Sequence, residues 1–244
     1  YSWLLLTLHD KETVTCEELY ENHVNYTSQR VADVERFKSW DNEKQVDKKL
    51  RIGYVSPDIR KHSVAYFLES LLDGHDRERF EVYGYEKVDF KDEMTERLGR
   101  KFDKFTSIWG KKPEKAAEII RKDKIDILVD LAGHTQNNNI ELFAMKPAPV
   151  QVTYLGYPNT TGLKEVDYRL TDEVSDPVEN HRFYTEQQVL LDKGFLCYRP
   201  SVDAGGIGEA PYKKNGYVTF GTFNNNKKIS PLIFSTWCKI LSLC

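Results

Sequence analysis

The sequence predicts an α/β fold, a parallel sheet with helices on both faces, preceded by a helical segment. Three observations carry that reading. From residue 50 onward, short runs rich in branched and aromatic residues alternate with stretches of helical periodicity. Ile127 to Leu131 is apolar enough for a strand buried on both faces. That run breaks at Gly133-His134-Thr135, passes a short helix at Ile140 to Met145, and re-enters a strand at Val150 to Leu155. The result is a βαβ unit, and open α/β sheets hold their ligands beyond the carboxyl ends of the strands. Both strands place a glycine and hydroxyl side chains there: Gly133 with Thr135, and Gly156 followed by Thr160 and Thr161.

The remaining elements follow in order. Residues 1–49 read as helical, with Thr15 and Cys16 before Glu17-Glu18 as a helix start and a charged connector from Ser39 to Lys49. The first strand spans Leu50 to Val55 and ends at Ser56-Pro57-Asp58. A basic loop then leads into a helix for which Ser63 is the expected N-cap. Val64, Phe67, Leu68, Leu71 and Leu72 form its apolar stripe. Strands follow at Phe80 to Tyr85 and Phe105 to Trp109, and helices at Asp92 to Phe102 and Pro113 to Lys122. Two further strands are expected, at Val166 to Leu170 and Gln188 to Leu191. Residues 50–200 therefore form one sheet domain, and the Gly/Pro/Lys-rich segment 201–216 is a connector. Over 217–244 the pattern restarts, with a strand at Tyr217 to Gly221, a loop, and a helix opened by Ser230-Pro231.

Composition bounds the function. The chain has 244 residues and a formal net charge of −3, without the clustered basic face that nucleic-acid binding requires. Lys44 to Lys49 and Lys111 to Lys115 are interleaved with acids and read as solvated helix faces. No apolar run approaches the roughly 20 residues of a membrane span, and Trp3 to Leu8 lacks a signal peptide's basic lead. Cys16, Cys197, Cys238 and Cys244 show no paired spacing, so neither disulfides nor a zinc site is expected and a cytoplasmic location is. The start at Tyr1 and the stop inside an apolar pattern at Leu243-Cys244 read as those of a fragment.

Several chemistries lack their signature. There is no Gly-x-Gly-x-x-Gly after the first strand, which disfavours a dinucleotide oxidoreductase, and no Walker A or Gly-x-Ser-x-Gly sequence. Asp-x-Asp, a metal–nucleotide clamp, is also absent. What remains are polar loops at strand ends. His62 can move a proton near neutral pH or orient a ligand, or simply serve a helix cap. His134 is either functional or a loop anchor. Asn224-Asn225-Asn226-Lys227-Lys228 precedes a capped helix, where free N–H groups and a lysine can hold a phosphate, or it is a solvated loop.

Arg51-Ile-Gly-Tyr-Val-Ser-Pro-Asp58 with His62, Gly133-His-Thr135, Pro147-Ala-Pro-Val-Gln151, Gly156-Tyr-Pro-Asn-Thr-Thr-Gly162 and Phe223-Asn-Asn-Asn-Lys-Lys-Ile-Ser-Pro231 occur in one collinear series. That series resembles the O-GlcNAc transferase/SPINDLY family (glycosyltransferase family 41). These are inverting protein glycosyltransferases with two Rossmann-like halves, the GT-B fold, usually preceded by tetratricopeptide repeats. The resemblance implies the first half of such a fold in 50–200 and the start of the second half in 217–244. It implies that Lys228 holds the donor diphosphate and that Asn225 contacts the donor. His62 matches a histidine at the mouth of the cleft, a candidate base. His134, Thr135, Gly156, Tyr157 and Pro158 match loops lining the cleft. It further implies no cofactor and no metal beyond a nucleotide-sugar donor, UDP-GlcNAc first and GDP-fucose as the alternative. The partners implied are proteins offering Ser or Thr, with no nucleic acid and no membrane. Residues 201–216 stand where animal members carry a long intervening domain, which implies a bacterial or plant-like type. The fragment alone is expected to be inactive, because most donor contacts in the family lie in the second half. The competing reading is a non-catalytic binding or scaffolding module with a degenerate site.

Overall fold

The computed structural model describes residues 2–200 and 205–243. Two compact units result, Tyr1–Arg199 and Pro200–Cys244. The first carries a seven-stranded sheet: β1 (Leu50–Ser56), β2 (Phe80–Glu86), β3 (Lys104–Ser107), β4 (Ile127–Asp130), β5 (Val150–Thr153), β6 (Tyr168–Thr171) and β7 (Gln187–Leu190). Every pairing is parallel and the order is β3-β2-β1-β4-β5-β6-β7. This is the Rossmann-like arrangement, in which the order of strand addition reverses between β1 and β4. Ile52 pairs with Ile127 and Val55 with Asp130, so the carboxyl ends of those two strands lie side by side.

Alternation along the strands builds a core on each face. Ile52, Tyr54, Val82 and Val129 point to the side covered by α3 (Ser63–Gly74) and α4 (Glu93–Gly99), where Leu68, Leu72 and Leu98 are fully buried. Val55, Tyr85 and Leu128 point to the other side, against Ala117 and Ile120 of α5 (Pro113–Lys122) and Phe143 of α6 (Ile140–Ala144). Parallel strands joined by right-handed crossovers require this segregation, because α5 carries the chain back across the sheet from β3 to β4. Two N-terminal helices, α1 (Ser2–Leu8) and α2 (Cys16–Arg30), belong to the same compact unit. Thr15 caps α2 through a capping box with Glu18, as its sequence position predicts.

Two local expectations need correction. The N-cap of α3 is His62 rather than Ser63: its Nδ1 accepts the Val64 N–H at 3.3 Å, so an imidazole does the work assigned to the hydroxyl. The strand expected at Tyr217–Gly221 does not form. Those residues are exposed, and among the described residues of the second unit no strand pairs with them, whereas a strand exists through its ladder bonds. The second unit instead holds a short helix α7 (Tyr212–Asn215), a 3-10 turn at Asn226–Lys228 and α8 (Pro231–Leu243). Ser230 Oγ accepts the Ile233 N–H at 3.2 Å, the cap that its position before Pro231 predicts. Of the connector expected at 201–216, residues 201–204 lie outside the described residues, as does Cys244. Cys16, Cys197 and Cys238 are free thiols. Among the described residues no helix is long and apolar enough to cross a membrane.

Candidate functional site

Three loops leave the carboxyl edge of the sheet around the β1–β4 switch point, and they differ in how they are held. After β1, Ser56 Oγ accepts the Asp58 N–H at 2.9 Å and turns the chain. Asp58 is buried, and burial raises its carboxyl pKa above the usual range, opposed by the charges of His62 and Arg60. His62 keeps 42% of its side chain exposed, with Nδ1 3.8 Å from Asp58 Oδ2. Because Nδ1 accepts the Val64 N–H, the neutral ring carries its proton on Nε2. In this tautomer His62 offers a donor to solvent. To serve as a base at Nε2, the ring must move its proton to Nδ1, where Asp58 is the acceptor at hand.

The loop after β4 is fixed from below. Asp130 is fully buried and its two oxygens accept the N–H groups of Ala132 at 3.1 Å and Gly133 at 2.7 Å. Burial nevertheless pushes its carboxyl up to about 6. Thr135, half-buried, returns its hydroxyl to Ala132 O at 2.8 Å. His134 is 1% exposed, and its Nε2 donates to Thr161 O at 2.7 Å. Burial, and then the neighbouring His23, lower its pKa to about 3, so the ring is neutral throughout the physiological range.

The loop after β5 interlocks with it. Leu155 sits at φ 69° and Gly156 N–H bonds back to Tyr154 O at 2.8 Å, a γ-turn. A Cβ on Gly156 would stand 1.8 Å from Leu131 O, and one on Gly133 would stand 2.3 Å from Tyr157 Cβ. The two loops can approach only because both positions are glycine. Tyr157 is buried and its hydroxyl donates to His23 Nε2 at 2.7 Å, while His23 Nδ1 donates to Leu19 O. Burial lowers His23 to about 4. Thr27 Oγ1 adds a second bond to Thr161 O at 2.9 Å. Pro158 alone among the expected residues of this loop is exposed.

Buried charge secures the far side. Glu186, 4% exposed, accepts from Thr160 Oγ1 at 2.7 Å, from Thr161 N at 2.7 Å and from the Thr161 hydroxyl. Arg169 donates to the carbonyls of Tyr157 at 3.1 Å and Asn159 at 3.3 Å, and its Nε pairs with buried Asp176 at 2.8 Å. Sequence reasoning missed His23, Thr27, Arg169, Glu186 and Asp130. Only Asp130 had a local signal, a carboxylate ending a buried strand ahead of a glycine turn.

The structure thus brings His134, Thr135, Gly156, Tyr157 and Pro158 into one loop cluster and sets His62 on the same sheet edge. Asn225 and Lys228 belong to the second unit. There Asn225 Oδ1 accepts the Lys227 N–H at 3.1 Å and its carbonyl accepts the Lys228 N–H at 2.9 Å, forming the 3-10 turn ahead of α8. Lys228 is exposed. Among the described residues no group of three or more His, Cys, Asp or Glu side chains converges to hold a metal ion.

Comparison with known proteins agrees with this geometry. The family profile described as glycosyl transferase family 41 matches residues 10–198. The chain is 44% identical over 229 residues to a probable UDP-N-acetylglucosamine–peptide N-acetylglucosaminyltransferase SPINDLY of Petunia hybrida, covering 92% of this chain and 25% of the relative. It is 35% identical over 207 residues to the Arabidopsis thaliana relative named SEC, covering 80% and 21%. A solved mutant O-GlcNAc transferase from Thermobaculum terrenum superposes with a TM-score of 0.91 at 34% identity, over 99% of this chain and 46% of that one. The chain spans about a quarter of the length of the SPINDLY relatives it matches. A Rossmann-order sheet that superposes over nearly its whole length on an O-GlcNAc transferase, with a profile match across all seven strands, places this chain in glycosyltransferase family 41.

Proposed function

We propose that the gene product containing this chain transfers a sugar from a nucleotide sugar to Ser or Thr hydroxyls of proteins, and that residues 50–200 form one wall of its cleft. The single observation behind the reading is the switch-point edge itself. A family 41 sheet presents His62 after β1 beside the interlocked loops after β4 and β5. The relatives' names supply the chemistry: they are called UDP-N-acetylglucosamine–peptide N-acetylglucosaminyltransferases. UDP-GlcNAc is the preferred donor, with GDP-fucose as the alternative.

In the reaction the acceptor oxygen forms a bond to the anomeric carbon as the bond to the diphosphate oxygen breaks, inverting that carbon. The hydroxyl proton leaves to a base and the nucleoside diphosphate departs with the electron pair. Lys228 and the N-terminus of α8 meet the departing charge without a metal, a preorganised contribution of a few kcal/mol, about that of one oxyanion-hole donor. His62 contributes either the Nε2 donor to a phosphate or sugar oxygen or, with Asp58 holding Nδ1–H, the base. His134 and Tyr157 act from beneath, holding the backbone of Thr135 and Pro158 at the cleft. A screen of UDP-GlcNAc and GDP-fucose against Ser/Thr peptides tests the reading. Transfer from UDP-GlcNAc is expected, transfer from GDP-fucose alone would reassign the donor, and transfer from neither would end the proposal.

A further inference from the structure

On the same carboxyl edge, a cavity of about 110 Å³ opens between the ends of β2 and β3 and the starts of α5 and α6. Its lining carries two lysines and two asparagines beside one carboxylate, Glu141. Lys87, the residue after β2, gives one proton to Asn138 O at 2.9 Å and has two more to place. Asn139 is 5% exposed, makes no side-chain cap bond to α6, and its Nδ2 is buried without a partner. Exposed Lys111 stands at the rim. Several acceptors nearby are already engaged: Asn138 O by Lys87, Asn138 Oδ1 by Arg30 at 3.1 Å, and one oxygen of Glu141, Oε1, by Arg30 at 2.9 Å. Ile108 and Leu142 form apolar walls.

We propose that this cavity binds a small oxyanion, a carboxylate or phosphate group, through the Lys87 ammonium, the Asn139 amide and Lys111. One buried amide donor without a partner, beside a half-buried ammonium and a surface lysine, suits a group that brings acceptors and negative charge, and a buried donor left unpaired is costly. The volume suits one such group, since a water's share of liquid is about 30 Å³. Burial lowers the Lys87 pKa, and a bound anion would restore it. Arg30 pairs with Glu141, which offsets the repulsion that the carboxylate at the wall exerts on an anion. The anion is either a free ion or the acidic or phosphorylated side chain of a bound protein. The site stands on this cavity's own donors and does not depend on glycosyl transfer.

Titration of the full 244-residue chain with inorganic phosphate and with acetate, followed by calorimetry and by lysine-selective NMR, tests the site. Saturable binding with a perturbed Lys87 resonance is expected, weakened about tenfold in Lys87→Met and several-fold in Lys111→Met. The second variant alters an exposed side chain and so keeps the test valid if the first fails to fold. Lys49→Met, on the opposite edge, should bind as the parent does. Competition by a Ser/Thr peptide bearing a glutamate or phosphoserine would support a protein-borne anion, and its absence a free ion. No saturable binding, or equal binding by the parent and Lys111→Met with an unmoved Lys87 resonance, would overturn the proposal.

Discussion

Two histidines rise from the same sheet edge into opposite surroundings. His134 is enclosed by His23, Tyr26 and Tyr157, with ring centroids 5.2 Å, 5.8 Å and 5.4 Å away, and is locked neutral. His62 caps a helix through Nδ1, which also lies 3.8 Å from the buried carboxylate of Asp58, and keeps 42% of its side chain exposed. The first holds two loops at a fixed distance; the second keeps part of its ring open to solvent. A histidine in a strand-end loop is therefore not in itself a catalytic signal. What separates the two is exposure: His134 Nδ1 has no partner but is buried, whereas His62 keeps 42% of its side chain in solvent.

That contrast can be broken at several points. The largest effect is expected from Gly156→Ala, whose new Cβ would meet Leu131 O at 1.8 Å. Backbone cannot retreat as a side chain can, so a loss of more than about 3 kcal/mol in denaturant unfolding, or failure to fold, is expected. A Gly156→Ala variant of parental stability would show that the loops do not interlock. Glu186→Ala strands the donors of Thr160 and Thr161 in a buried site, with an expected loss of about 3 kcal/mol and weaker hydrogen-exchange protection of the loop after β5.

Acid stability sharpens the same comparison. His134 has a folded pKa of about 3 against 6.5 for the free group, so the unfolded chain binds the extra proton between those values. Its contribution is complete above pH 6.5 and is lost as pH falls towards 3. His23, at about 4, acts with the same sign. Asp130, raised to about 6 from 3.8, acts with the opposite sign, favouring the fold as pH drops through 6. His134→Gln keeps a donor for Thr161 and removes one titration, so the slope of stability against pH below 6.5 should flatten by at most about 1.4 kcal/mol per unit. An unchanged slope would mean that His134 is solvated. The smallest stability effect belongs to His62→Ala, about 1 kcal/mol for a lost cap, with His62→Asn recovering most of it. If His62 meets the substrates, both variants lose sugar transfer alike despite that recovery.

Much of the fold was legible because its signals are local. The stripe Val64, Leu68, Leu72 and the branched run before Asp130 each announce an element and its buried face. The site was legible in part: the glycines and hydroxyls at strand ends marked the right edge. The clamp beneath it was not, since His23 and Tyr157 are 134 residues apart and no spacing relates them. Nor does sequence distinguish His134 from His62, because burial is a property of the assembled loops. Tyr217–Gly221 misled for the converse reason: its pattern is that of a strand, but a strand needs a neighbour to pair with.

The most direct test of the account is transfer of radiolabelled GlcNAc to a Ser/Thr protein substrate by the gene product containing this chain, with and without Lys228→Ala. Lys228 is exposed in its turn before α8, so the variant should fold normally while losing at least about a hundredfold in rate, the scale of one preorganised donor facing a developing negative charge. Label incorporated at the parental rate by a folded Lys228→Ala variant would contradict the account.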